Sequence, residues 1–589
     1  MTSWSIESLN SAQNKIIEHK AGPALVIAGA GSGKTRVITH RVAQLINSGI
    51  PASSILLLTF TNKAADEMTQ RVGRTLVNSS DQNKIIHGTF HSVANRFLKQ
   101  HAKLLEYKNN FSILDSSDSK DMVKAAIAEV IGKPGKFFPK AAVLQNIFSL
   151  AFNRHCSEKM ILGLPYIQRN FFLEQLIYLM VVGDDAQSIY SWRGANFGNM
   201  LEFPERYKAV TYYMEENYRS SPEILEAANQ SINYNTRQFE KNLFSSLPEG
   251  EKPLVHHVWS SEDEANLVLQ SILSYRDQEI SLNEMSVLYR NHVQSAALQV
   301  SLTQAGIPFV IHSGVKFFEQ AHIKDLTAFL KVLYNPLDEI SWMRLLRLLP
   351  GIGNNTAFRI FSVFQDQQAV RLTKDNQALH KLIPKKALEN WIVLLECFQK
   401  MLGESISPTE MIGIIYNNFY RDVLYSSFEN AQQREADIRY LEEFAGNYEQ
   451  LEAFLNKLSL VGSSIVTDYE SEQQDNQEAI TLTTIHQAKG LEWGVVIVIG
   501  LTEGLFPHQR SLETEEQIEE ERRLFYVAMT RAKRHLLLTA PLISSSYFKG
   551  ASKRSRFIFE LADESINKVV HKFDDYSYLN RRGTTQFYF

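Results

Sequence analysis

Residues 24–42, ALVIAGAGSGKTRVITHRV, constrain the fold more than any other stretch. Ala24, Leu25, Val26 and Ile27 form a short apolar run of the kind that makes a buried strand. Ala28, Gly29, Ala30, Gly31, Ser32 and Gly33 follow, all small, and then Lys34 and Thr35. Val37, Ile38, Arg41, Val42 and Leu45 keep helical spacing. Strand, glycine loop and helix, in that order, are the context of a phosphate-binding loop. The glycines let backbone N–H groups turn toward phosphate oxygens, and the positive end of the new helix points at the same place. Lys34 offers a point charge for the outer phosphates and Thr35 a hydroxyl for Mg²⁺. The first loop position is Ala28 where the pattern has glycine, an exchange between small residues.

The chain has 589 residues, more than one core usually holds, so several domains are expected. Its formal net charge of −4 gives no global pull toward nucleic acid, which a local groove would have to bind. The two cysteines, Cys156 and Cys397, lie far apart without metal-type spacing and suggest reduced thiols. The polar start carries no signal-peptide pattern, and no apolar run reaches membrane-spanning length. The expected location is cytoplasmic, with no membrane partner.

Further strands end in chemistry-bearing residues. Residues 55–60, ILLLTF, read as a buried strand running into Thr61, Asn62 and Lys63 and then a helix. Residues 85–92, IIHGTFHS, end another strand in the same polar and aromatic way. Such strand ends lie where α/β proteins bind ligands. From about Asn95 to Pro165 the pattern is mostly helical. Residues 179–195, LMVVGDDAQSIYSWRGA, then run a buried strand into Asp184, Asp185, Gln187, Tyr190, Trp192 and Arg193. A loop with so many costly residue types points to function.

Taken in order, AGAGSGKT, LLLTFTNKAADEM, GTFHS, VVGDDAQSIYSWRGAN and ENYRS (216–220) resemble the motif series of UvrD/Rep/PcrA-type superfamily 1 DNA helicases. The resemblance implies an α/β fold of two RecA-like P-loop domains, each with a mainly helical inserted domain. Residues 1–95 and 168–252 would form the first, interrupted by an insertion at 96–167. Residues 253–322 and 467–545 would form the second, interrupted at 323–466, with a tail at 546–589. It also implies ATP with Mg²⁺, and 3′ to 5′ movement on single-stranded or 3′-tailed DNA in repair or replication restart, by a monomer or weak dimer. Carried over by position, Gln13 would read adenine, residues 28–35 would hold the phosphates with Thr35 on the metal, and Arg36 would lie beside the nucleotide. Gln187 would sense the γ-phosphate and link it to DNA-facing Tyr190, Trp192 and Arg193. Phe60, Asn62, Thr89 and His91 would sit along the strand, bases stacking on aromatic faces without sequence preference.

In the second half, residues 254–259 read as a strand, and Ser261 with Glu264 has the spacing of a capping box. Residues 286–291, SVLYRN, end another strand, where the resemblance makes Tyr289 a stacker on adenine and Arg290 a γ-phosphate ligand. Residues 323–460 are helical in pattern, and 479–484 and 495–500 read as strands around IHQAKGLEW. The resemblance places His486 and Lys489 on DNA and Glu492 on the nucleotide's sugar. Arg531, in RRLFYVAMTRAK, resembles the family's arginine finger, a cation that neutralises charge on the transferring phosphoryl group.

One element does not carry over. The family has a strand ending in Asp-Glu-x-Gln before VVGDDAQS, whose acids anchor Mg²⁺ and position the attacking water. Here GLPYIQRNFFLEQL (163–176) leads straight to Met180. The other Asp-Glu pairs, at 66–67, 263–264, 338–339 and 563–564, fall in helical segments or past the last core strand. Loss of a central strand should leave a sheet edge and apolar faces uncovered. Two readings follow: an ATP-dependent DNA helicase with a gap in this copy of the sequence, or a catalytically impaired, nucleotide-responsive DNA-binding protein.

Overall fold

The computed structural model describes residues 9–570 apart from 77–78, 106, 108–110, 112, 115, 133–140, 142–143, 146–177, 192–193, 313–316, 367–381, 403–405, 429–430, 447, 463–477 and 543–552. The segment 163–177, much of the first expected insertion, Cys156, Trp192, Arg193 and the C-terminal 571–589 therefore lie outside the described residues. The chain divides into two compact units, Met1–Glu249 and Gly250–Phe589.

In the first unit, β1 (Ala24–Ala28) is buried along its whole length. It pairs in parallel with β4 (Met180–Gly183) on one side and β5 (Val210–Met214) on the other, Ala24 opposite both Met180 and Val210. Strands β2 (Leu56–Thr59) and β3 (Ile86–Thr89) pair with each other, also in parallel, as a separate two-stranded sheet, and the short β6 (Glu216–Asn217) pairs with β7 (Phe244–Ser245). Strands expected in one sheet thus fall into two, and among the described residues none joins β4 to the β2–β3 pair. The apolar Met180-Val181-Val182 run is only half-buried. A parallel strand flanked on both sides and covered on both faces would be fully buried.

Helix α2 (Lys34–Asn47) serves both sheets. Its Val37 packs with Val26, Ala28 and Met214 and with Ile16 and Ile17 of α1 (Ser11–Ile17). Its Val42 and Ala43, a turn further on, pack with Leu57, Ile85 and Val72 of α3 (Asn62–Thr75). One helix face against each sheet follows from the spacing of its apolar residues.

The second unit holds a seven-stranded sheet, all parallel, in the order β10-β11-β9-β12-β13-β8-β14. In chain order these are β8 (Leu254–Val258), β9 (Met285–Tyr289), β10 (Phe309–Ile311), β11 (Ile480–Thr484), β12 (Trp493–Val498), β13 (Ala532–Pro541) and β14 (Asn567–Val570). Burial on both faces explains the unbroken apolar runs in β9 and β12. Between β10 and β11 the described residues form helices around a core that includes Phe329, Trp342, Trp391 and Phe398. Cys397 lies in that core, where burial pushes its thiol up to about 11 and leaves it unreactive. No described helix is long and apolar enough to cross a membrane.

The capping box after β8 is one residue earlier than its spacing suggested. Ser260 is the cap: its Oγ accepts from Asp263 N (3.1 Å), and Ser260 N donates to Asp263 Oδ2 (3.2 Å). Glu264 is thereby turned inward. Its Oε1 accepts from Gly500 N (2.9 Å) and Thr539 Oγ1 (2.5 Å). The architecture is α/β with parallel sheets, as the strand patterns implied.

Candidate nucleotide site and nucleic-acid face

The loop between β1 and α2 is held from two sides. Gly31 and Gly33 adopt left-handed φ angles of 66° and 86°, and a Cβ on Gly31 would lie 2.6 Å from Asn217 Nδ2. Fully buried Asn217 donates from Nδ2 to Ala30 O (2.7 Å) and accepts at Oδ1 from the backbones of Arg219 (2.7 Å) and Ser220 (2.8 Å). Tyr218 N donates to Gly31 O (3.0 Å). The ENYRS segment, which had no assigned role, is therefore the loop's clamp. Its sequence signal was an asparagine, a residue that must satisfy four hydrogen-bonding positions when buried, inside a motif next to a strand.

From the other side comes Gln13, 1% exposed. Its Nε2 donates to Ser32 O (3.1 Å) and its Oε1 accepts from Asn10 N (3.2 Å). The resemblance has Gln13 reading adenine; in this structure it lies at the loop with both ends of its amide bound to backbone. Asn10, which sequence reasoning missed, continues the tie by donating to Glu216 Oε2 (2.9 Å).

Lys34 opens α2, and its Nζ donates to Gly29 O (2.7 Å). Asp184 Oδ2 lies 3.9 Å from the same Nζ. Asp184 accepts from Gln187 Nε2 (2.6 Å) and Lys241 Nζ (2.8 Å), and Lys241 also pairs with Asp185. Burial alone would push the Asp184 carboxyl up, but Lys241 and Lys34 hold it below the usual range. Gln187 is buried beside this cluster, while Thr35 and Arg36 are half-buried in the first turn of α2. A loop of crowded left-handed glycines, with a lysine bonded to the loop's own carbonyl, fits a triphosphate. Among the described residues no group of three or more His, Cys, Asp or Glu could hold a metal.

The strand exits of β2 and β3 carry the aromatic groups. Thr59 and Thr89 are register partners, so Phe60 and Phe90 leave adjacent strands side by side, 81% and 62% exposed. Phe90 was not singled out from sequence; the matching positions of TF in the two strand ends were its signal. Asn62 and His91 are exposed. Thr89 has another task, its Oγ1 capping helix α4 (Phe90–His101) by accepting from Ser92 N (3.1 Å). Tyr190 is half-buried.

In the second unit three of the expected site residues are engaged by the protein itself in this structure. Tyr289 is 0% exposed in the sheet core, its hydroxyl 3.3 Å from His292 Nδ1, so its ring offers no open stacking face in this structure. Arg290 is held by Glu521 through Nε (3.0 Å) and Nη2 (2.8 Å). Burial pushes the Glu521 carboxyl up, but Arg290 and a bond from His508 N (3.1 Å) hold it below its ordinary range. Arg531 is 1% exposed, donating to Val527 O and Leu491 O, both at 3.0 Å. Both arginines, the expected γ-phosphate ligand and the expected finger, are thus held by groups of their own unit here. Lys489 and Glu492 are exposed and His486 half-buried, with Glu492 3.4 Å from Lys533.

Both halves of the chain match known proteins. Residues 9–171 and 165–208 match the UvrD/REP helicase N-terminal domain, and residues 212–542 match the UvrD-like helicase C-terminal domain. The protein named ATP-dependent DNA helicase PcrA of Bacillus subtilis is 32% identical, with 96% of this chain and 87% of that protein covered. The PcrA of Staphylococcus epidermidis is 30% identical over 95% and 87%, and that of Staphylococcus aureus 28% over the same shares. The Bacillus alignment spans 655 positions against a chain of 589 residues, so that relative has residues where this chain has none. With both halves matched in order and a full set of loop contacts in place, the chain belongs to the UvrD/REP helicase family.

Proposed function

We propose that the protein is an ATP-dependent DNA helicase that moves 3′ to 5′ along single-stranded DNA in repair or replication restart. The reading is carried by the loop clamped between Asn217 and Gln13, with Lys34 at the start of α2. Lys34 exchanges its bond to Gly29 O for the outer phosphates of ATP, and the loop N–H groups with the α2 terminus take the rest. Gln187, bonded to Asp184, senses the phosphate end and relays it toward Tyr190. The Thr35 hydroxyl would hold Mg²⁺, which would supply positive charge against the phosphates. Arg290 and Arg531 supply cations for the transferring group once they give up Glu521 and the carbonyls that hold them. Phe60 and Phe90 stack bases of single-stranded DNA.

A second reading, a nucleotide-responsive DNA-binding protein without hydrolysis, is favoured by one cluster of observations. The strand β4 is half-buried with a single described neighbour, and no Asp-Glu-x-Gln run stands in the sequence between residue 163 and Met180. DNA-stimulated phosphate release decides between them. A rate at least about tenfold above that of Lys34→Ala supports the helicase, because loss of a phosphate-binding group removes transition-state stabilisation. A rate no higher than that variant's rules out hydrolysis.

Base stacking gives an independent check. Phe60→Ala and Phe90→Ala are each expected to cost roughly 1–2 kcal/mol of affinity for an oligothymidylate, as measured by fluorescence anisotropy. ATP binding should be unchanged.

A further inference from the structure

We infer that Lys241 is a positioning residue for nucleotide binding: by neutralising Asp184 and Asp185 it keeps the Lys34 ammonium available to phosphate. The inference rests on the reading of the loop as an ATP site. Two acids and two cations meet there. Asp184 presents Oδ1 to Lys241 at 2.8 Å and Oδ2 to Lys34 at 3.9 Å, and Asp185 pairs with Lys241. The side chains of Asp184, Asp185 and Lys241 are 2%, 1% and 5% exposed, so water screens their charges little. The rest of Asp185 is spoken for by Phe239 N (3.0 Å).

Take Lys241 away and Asp184 keeps Lys34 as its cation among the described residues, while Asp185 loses its ion-pair partner. The ammonium is then drawn to Asp184, and uncompensated negative charge stands beside the place where phosphates bind. Both effects weaken nucleotide binding. The segment bearing Lys241 also shapes the loop sterically: a Cβ on Gly29 would lie 2.2 Å from Leu243 Cδ2. Lys241 thus acts from a segment already packed on the loop.

The test is the dissociation constant of a fluorescent ATP analogue, read beside thermal melts of each variant. Lys241→Met is expected to weaken binding roughly tenfold, and Lys241→Arg to stay near wild type. Adding Asp184→Asn to Lys241→Met should restore affinity to within about threefold of wild type. Adding Asp185→Asn instead should not, because Asp184 is the acid recorded against Lys34. These two double variants each remove the buried cation and one buried acid, so their comparison stands even where Lys241→Met alone does not fold. Equal affinity in both doubles, or wild-type affinity in Lys241→Met, overturns the inference. Wild-type binding no tighter than that of Lys34→Ala would instead remove the ATP site itself, and the inference with it.

Discussion

Replacing Lys34 with alanine is expected to weaken ATP binding by roughly a hundredfold while leaving the melting temperature almost unchanged. A hydrogen bond from an ammonium to a phosphate is charge-assisted and is worth about 1.5–3 kcal/mol, more where water is excluded. Without nucleotide the same ammonium is 29% exposed and its contacts include a bond to Gly29 O. That carbonyl is replaceable by water at little cost, and Asp184 retains Lys241 as its closer cation. Loss of function is thus separated from loss of fold. Titration with a fluorescent ATP analogue, paired with a thermal melt, checks both halves. Tight binding by the variant would mean that nucleotide sits elsewhere.

The second large effect concerns stability and pH. Glu264 is 4% exposed, and burial pushes its carboxyl from the ordinary 4.5 to about 7, against the lowering by Thr539 and Gly500. The folded value lies above the unfolded one, so between them the folded state holds the proton more tightly. The group's stabilisation is complete below about pH 4.5 and is lost as pH rises toward 7, levelling off beyond. The gap corresponds to about 3 kcal/mol. Glu264→Gln keeps a carbonyl oxygen for Gly500 N and the Thr539 hydroxyl without ever carrying charge. The variant should therefore be more stable than wild type by up to about 3 kcal/mol at pH 8, and nearly equal to it close to pH 4.5. Urea unfolding at the two pH values measures the difference. The same difference at both would show that Glu264 does not titrate in this range.

Most of the strands, the glycine loop and helix α2 were legible because their signals are local, whereas β5, β10 and β14 were not singled out. Alternation of apolar run, small residues and helical spacing over some twenty positions leaves little choice of backbone. The family's motifs were legible for the same reason, each being a strand end read in place. Less was legible wherever a side chain's task depends on what it meets. Tyr289 and Arg531 sit in motifs that suggest exposed, ligand-facing groups, yet packing buries both. Glu264 exchanged a cap for a buried carboxyl through a shift of one residue.

The amino-acid order by itself determined the parallel α/β class, the position of Lys34 and Thr35 at the mouth of a phosphate loop, and the family to which the motif series belongs. Only the tertiary structure decided that Asn217, 187 positions from Ala30, clamps that loop, that Lys241 shares Asp184 with Lys34, and that Phe90 stands beside Phe60. Backbone preference and periodicity act over a few residues. Burial, charge pairing and strand register join residues far apart in the chain, and they take effect only once the strands have packed.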